Sequence, residues 1–160
     1  MTQSERKHVL HDHLIRTRED LLKIVGAMQP ADWDKPVQAA EGGWTVKQLL
    51  SHIATSESGQ IKTAQAIAAG QPTVPDDFDL NRYNKRQIEK NKDKQPPEIL
   101  FVMAESRQQL LAFLDEVPEE ALDKRGKHAR GDVISLEQLF LRIGDHEAEH
   151  TAEIRKALGK

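Results

Sequence analysis

The sequence contains no cysteine, and this absence narrows the chemistry that the chain can perform by itself. It excludes disulfides, thiolate catalysis by the protein and every zinc site that uses sulfur ligands. It also fits a reducing compartment. The N-terminal residues are polar, and no apolar run approaches the length of about 18 residues that a membrane span needs. We therefore expect no signal peptide, no membrane partner and a cytoplasmic location.

Basic charge and aromatic side chains are scarce as well. The chain has 23 Lys and Arg against 26 Asp and Glu, a net charge of −3, so it lacks the basic excess that would neutralise phosphates. We expect no nucleic-acid partner. Aromatic residues make up 4% of the 160 residues, which is little for a β-sandwich or barrel and favours a helical fold. The length predicts a single domain over residues 1–160.

Four stretches of the chain repeat apolar residues at steps of three and four, the spacing of a helix with one buried face. They predict long helices over residues 5–28, 45–69, 96–117 and 135–158, with a short polar helix over 80–92. Capping boxes mark two of the starts, Thr45 with Gln48 and Ser135 with Gln138. The pattern predicts an all-α four-helix bundle and leaves the direction of neighbouring helices open.

The apolar face of the last helix turns polar halfway along. The positions that follow Ile143 on this face are His146, His150 and Glu153. Burying such groups costs several kcal/mol unless each has a partner. The i, i+4 spacing of the two histidines brings both imidazoles to one face, where they could bind one cation. The alternative is a pair of core histidines that hydrogen-bond to neighbouring side chains.

A third histidine, His52, lies inside the second helix. Its face continues with Ser56, Gly59 and Thr63, and such small or polar residues leave volume rather than fill it. Ser106 on the apolar face of the third helix shows the same lack of bulk. Three histidines around a gap would give a cation three nitrogen ligands and an open position, which is typical of a catalytic metal site. Taken alone, His52 fits better a residue at the edge of the core that is half in water.

The segment from His146 to His150 also fits the motif H-E-x-x-H and its reverse, in which Glu147 or Glu149 is the general base of a zinc protease. The motif is short, and too little chain follows for the usual downstream ligand, so the sequence disfavours a zinc protease. Glu153 shares the helix and face of the two histidines, and we expect it to support them or line a pocket. Glu149 or Glu153 could orient a histidine or accept a proton.

The remaining histidines show no clear role in the sequence. His8, His11 and His13 cluster near the start of the first helix, and we expect them to be exposed. His128 lies in a charged loop and has no visible partner.

Two segments resemble a known family. Residues 43–53, GWTVKQLLSHI, are similar to the second-helix signature of the DinB/YfiT-like superfamily, and the pair His146 and His150 is similar to its fourth-helix signature. Residues 80–117 also resemble DinB-like domains related to mycothiol-dependent isomerases. The resemblance implies a four-helix bundle with a crossover connection and a divalent metal, zinc or nickel, held by His52, His146 and His150. It also implies that Asn84 is a pocket residue.

Metal-dependent chemistry on a small molecule is the leading hypothesis. With a low-molecular-weight thiol of the bacillithiol, mycothiol or glutathione type the reaction is S-transfer, and with water it is hydrolysis. Ser56, Gly59 and Asn84 are the candidate substrate contacts. The alternatives are a non-catalytic metal-binding or stress-response bundle that acts through dimerisation, and a plain bundle whose histidines are core residues. We expect a small-molecule substrate and a second copy of the chain as partners.

Overall fold

Four long helices form a bundle in the computed structural model, which describes residues 4–39 and 42–160. The elements are α1 (Glu5–Gly26), α2 (Val46–Ala69), the short α3 (Leu80–Lys90), α4 (Pro96–Glu116) and α5 (Leu136–Ala157). The predicted all-α four-helix bundle is confirmed. No helix in the described part of the chain is both long and apolar enough to cross a bilayer.

The helices begin and end where local chemistry fixes them. The Thr45 hydroxyl accepts a hydrogen bond from the Gln48 amide, while the Gln48 side chain accepts one from the Thr45 amide. Ser135 and Gln138 form the same box at the start of α5. Gly70, with a φ of 68°, closes α2 in the left-handed conformation that favours glycine. The predicted boundaries therefore agree with the structure to within two residues.

Two connections that were predicted as loops contain small β-hairpins. Strands β1 (Pro36–Ala39) and β2 (Gly42–Thr45) pair before α2, and β3 (Arg125–Lys127) and β4 (Val133–Ser135) pair before α5. A 3₁₀ helix precedes each hairpin, at Pro30–Asp34 and Glu119–Asp123. The helices that carry the three histidines thus both follow directly from the second strand of a hairpin.

The first helix does not pack chiefly on the helix that follows it. It packs on α5, whereas α2 packs on α4 and α5, and α3 lies against α2. This order is the crossover arrangement implied by the family resemblance. It places α2 beside α5, so residues almost a hundred positions apart meet.

A layer of buried charge divides the apolar core into two clusters. One cluster contains residues from the first half of α1 and the second half of α2. The other cluster contains residues from the second half of α1 and the first half of α2. Between them, Arg18 donates to Glu57 at 3.0 Å and to Glu147 at 2.8 Å, and Arg107 donates to the same carboxylates at 2.6 and 3.2 Å. All four side chains are buried, and each comes from a different long helix. Burial is tolerated because every charge is paired.

Ser106 belongs to this charged layer. Its hydroxyl donates to the Glu57 carboxylate at 2.8 Å, and the residue is buried. The expectation that its small size helps to open a gap is therefore wrong, because the space beside Ser106 is occupied by the carboxylate.

His13 also differs from the prediction. It is part-buried against α5, and its Nε2 lies 3.0 Å from an Asp145 carboxylate oxygen. The approach is close enough that a Cβ at Gly144 would lie 2.4 Å from the imidazole. Gly144 is thus what lets α1 and α5 come together at this point.

Candidate metal centre

Three imidazoles from two helices meet at one end of the charged layer. His52 comes from α2, and His146 and His150 come from α5. Each offers a ring nitrogen, and these nitrogens all lie within 4.8 Å of one another. The Nε2 atoms of His146 and His150 are 3.0 Å apart. His52 and His150 are buried and His146 is half-buried, so one side of the cluster remains accessible.

Neighbouring side chains fix the orientation of two of the rings. The Glu153 carboxylate lies 3.0 Å from Nδ1 of His150, which leaves Nε2 of that ring facing the cluster. On the other side, the indole of Trp44 packs on His52 with ring centroids 4.8 Å apart. Trp44 is held by β2, the strand that leads into α2. A carboxylate that orients a histidine in this way is typical of metal sites.

The donor set fits a divalent transition metal. Imidazole nitrogens suit zinc, nickel and copper, and each binds at about 2.0–2.1 Å from a zinc ion. Nitrogens within 4.8 Å of one another can share such an ion. The cluster holds no carboxylate or thiolate, so three protein ligands would leave further positions for water or a substrate.

A cavity of about 450 Å³ opens beside the three histidines. Ser56, Gly59 and Thr63 line it from α2, and Tyr83 and Asn84 line it from α3. Asn84 is buried, and the Tyr83 hydroxyl lies close above Gly59. The structure therefore places all three candidate substrate contacts, Ser56, Gly59 and Asn84, in the lining of the cavity, and their role in binding stays a prediction.

The β3–β4 turn contributes His128 to the lining of the cavity. The amide of His128 donates to the Asp132 carbonyl, and the Gly131 amide donates back to the His128 carbonyl. Gly131, at φ 101°, makes the tight turn possible. Arg142 on α5 anchors the turn through two hydrogen bonds to the Asp132 carboxylate, at 3.0 and 2.8 Å. This contact also lowers the pKa of Asp132 to about 2.

Burial lowers the pKa of His128 to about 4, and the positive charge of Arg142 adds to the effect. The ring is therefore neutral at physiological pH. Its Nδ1 accepts a hydrogen bond from the Arg130 amide at 3.1 Å, whereas its Nε2 is buried with no hydrogen-bond partner. His128 lies in the cavity wall, which the sequence alone did not indicate.

The three glutamates near the histidines of α5 take different places. Glu153 contacts His150, and its supporting role stays a prediction. Glu149 is exposed, on a shallow cleft that His146 also lines. Glu147 points the opposite way and pairs with two arginines in the charged layer, so it is not positioned as the general base of a zinc protease.

A sequence signal for the charged layer exists. Glu57 lies on the apolar face of α2, one turn from both Ile53 and Ile61. Arg107 lies on the apolar face of α4, one turn from both Met103 and Leu110. A charge in such a position must find a partner inside the core. His128 carries no comparable signal, because its burial depends on contacts between distant elements.

One curated relative shares moderate sequence identity with this chain. A protein of Oceanobacillus iheyensis, provisionally named a metal-dependent hydrolase, is 30% identical over 120 residues. The match covers 74% of this chain and 66% of the relative.

Solved structures share the fold at lower identity. YfiT from Bacillus subtilis, provisionally described as a metal-dependent hydrolase with an unusual four-helix bundle topology, gives a TM-score of 0.74 at 22% identity. The aligned parts cover 99% of this chain and 91% of YfiT. A mycothiol-dependent maleylpyruvate isomerase gives 0.75 at 16% identity, over 96% of this chain and 63% of the isomerase. At these identities the likeness shows the fold alone.

The family assignment rests on most of the sequence. Residues 13–154 match the DinB superfamily, and this range contains the three clustered histidines, the whole of α2 and most of α5. The resemblance seen in the two helix signatures is confirmed, and the chain belongs to the DinB superfamily.

Proposed function

We propose that the protein is a metal-dependent enzyme of small-molecule chemistry, with a divalent cation held by His52, His146 and His150. The observation that carries this proposal is the meeting of three imidazoles from α2 and α5 at the wall of a 450 Å³ cavity. Zinc and nickel are the first candidates, because both accept nitrogen ligands.

The chain supplies orientation and a partly enclosed space. Glu153 holds His150 through Nδ1, and Trp44 limits the movement of His52. Ser56, Gly59 and Asn84 shape the wall that a substrate would contact. When bound, a divalent cation lowers the pKa of a water or thiol and polarises a carbonyl oxygen.

Hydrolysis is the favoured reaction. The Oceanobacillus relative and YfiT are both provisionally called metal-dependent hydrolases, which supports water as the nucleophile. Thiol transfer is the second candidate, supported by the fold shared with a mycothiol-dependent isomerase. Because the chain has no cysteine, the thiol would have to be a separate cofactor of the bacillithiol, mycothiol or glutathione type.

A turnover screen separates these reactions from a non-catalytic metal-binding bundle. Zinc- and nickel-loaded protein is tested on esters, amides and lactones, and on thiols combined with electrophiles. We expect metal-dependent turnover that is lost in a His146→Ala, His150→Ala double variant. The matched control, His8→Ala with His11→Ala, removes two histidines outside the cluster and should keep full activity.

Metal-loaded protein that is inactive on every substrate would contradict the enzyme proposal and favour the non-catalytic alternative. A homodimer remains part of the proposal, and sedimentation of the metal-loaded protein tests it independently.

A further inference from the structure

The charges around the cavity beside the three histidines have one sign. Among the described residues that line it, Lys62, Arg130 and Arg142 are cationic, and no Asp or Glu takes part. The Asp132 carboxylate, which pairs with Arg142, is not among the lining residues. A cavity with cationic groups and no carboxylate favours an anionic ligand.

A buried donor lies in the same wall. His128 is 6% exposed, and its Nε2 has no hydrogen-bond partner in the structure. Buried polar atoms are nearly always paired, so an unpaired one needs an explanation, and a missing ligand is one. The backbone of His128 is held firmly, because its amide and carbonyl both form hydrogen bonds within the β3–β4 turn. Arg142 anchors that turn.

The hydrogen bonds of the ring define which nitrogen carries the proton. The Arg130 amide donates to Nδ1 at 3.1 Å, so Nδ1 is the acceptor. A neutral imidazole has one donor and one acceptor, and the proton therefore resides on Nε2. Nε2 therefore offers an N–H group that has no partner, on a residue that lines the cavity.

We infer that the cavity binds a small carboxylate, with an oxygen of the carboxylate accepting a hydrogen bond from Nε2 of His128. This inference rests on the proposed function in taking the cavity as the substrate site, and it adds the class of substrate. Lys62 and Arg130 provide long-range attraction at the rim, where both are exposed. Val74, Phe78 and Leu80 give the cavity an apolar side for the body of the ligand.

Binding of matched ligand pairs to metal-free protein tests the inference. The probes are benzoate and phenylacetate against benzamide and phenylacetamide, which share shape and differ in charge. Chelated protein at pH 7.5 is titrated by NMR, so a direct bond between carboxylate and metal plays no part. We expect each carboxylate to bind at least about tenfold more tightly than its amide.

Variants of His128 locate the bound carboxylate. His128→Phe keeps the volume and removes the donor, so it should raise the Kd for benzoate about tenfold or more. His128→Gln keeps an N–H group near the same place and should restore most of the affinity. His8→Phe, at an exposed histidine of α1, is the matched control and should bind as the unaltered protein does.

Equal affinity for carboxylates and amides, or unchanged benzoate binding in His128→Phe, would overturn the inference. If His128→Phe fails to fold, the double variant Lys62→Gln with Arg130→Gln is measured instead. Unchanged carboxylate binding in that double variant would also overturn the inference. Because no metal is present, the result is independent of whether the three histidines bind an ion.

Discussion

At the scale of single residues, Glu153 is the contact on which the orientation of His150 depends. We predict that Glu153→Ala weakens zinc binding about 10- to 100-fold, because the ring loses the carboxylate that holds Nδ1. Competition with a chelator measures the affinity. Glu149→Ala, an exposed glutamate on the same helix, is the control and should change little. Equal affinities in the two variants would contradict the role given to Glu153.

His128 should make the metal-free protein sensitive to acid. Its pKa is about 4 in the fold and near 6.5 in the unfolded chain, so between these values the unfolded chain binds more protons. Stability is fully present above pH 6.5 and is lost as the pH falls towards 4. Arg142, Arg130 and His146 favour the neutral ring, and Asp132 opposes them.

We predict that His128→Gln removes this contribution, which is of the order of 2 kcal/mol between pH 7 and pH 4. Urea unfolding across that range measures it, and the unaltered protein should lose more stability on acidification than the variant does. Parallel pH profiles of the two proteins would show that His128 is not buried in its neutral form.

Site residues whose partners lie on the same helix were predictable from the sequence. His146, His150 and Glu153 share one face of α5, and their spacing alone indicated a common site. His52 was joined to them only by the small residues on its helix face and by the family resemblance, since its proximity is tertiary. His128 stayed hidden for the same reason, because a turn residue is buried only by what other elements place against it.

At the scale of elements, the helices were predictable because caps and apolar periodicity are local. Thr45 and Ser135 set the starts of α2 and α5 through contacts three residues away. The hairpins were not predictable, because strands of three or four residues are too short for alternation to show. Their pairing depends on the adjoining helices instead.

Two glycines inside helices provide opposite tests of packing. A Cβ at Gly59 would meet only the Tyr83 hydroxyl, at an ordinary contact of 3.5 Å. We predict that Gly59→Ala stabilises the protein by about 0.5–1 kcal/mol, because alanine favours the helix. Thermal or urea unfolding measures the change, and a loss of stability would show that α3 sits closer to α2 than described.

Gly144→Ala is the matched variant. We predict that the protein with Gly144→Ala is less stable than the protein with Gly59→Ala. Its Cβ would lie 2.4 Å from the His13 ring, which must then leave Asp145. In a His13→Ala background the obstruction is gone, and Gly144→Ala should become stabilising. An unchanged effect in that background would contradict the contact between α1 and α5.

At the scale of the whole molecule, the buried charges connect the four long helices. We predict that Arg18→Met destabilises the fold by about 3–5 kcal/mol, because Glu57 and Glu147 each lose a partner inside the core. Urea unfolding measures the loss. Arg16→Met, two residues earlier on α1, breaks only an exposed pair with Asp12 and should change little. Similar effects of the two variants would mean that the layer is solvated.

The charged layer also explains where the histidine cluster lies. Glu147 directly follows His146, and Glu57 is five residues beyond His52, so the helices that carry the cluster are fixed to each other one turn away. Most charges on helices face solvent, but Glu57 and Arg107 each occupy an apolar stripe. They are buried because charges of opposite sign lie at the same level on neighbouring helices.

Metal content per chain tests the central claim most directly. Protein purified without a histidine tag is loaded with zinc or nickel, dialysed against weak chelator, and analysed by elemental mass spectrometry. The account predicts about one ion per chain in the unaltered protein and in His8→Ala with His11→Ala, and almost none in His146→Ala with His150→Ala. Equal metal in all three proteins, or none in any, would contradict a site built from His52, His146 and His150.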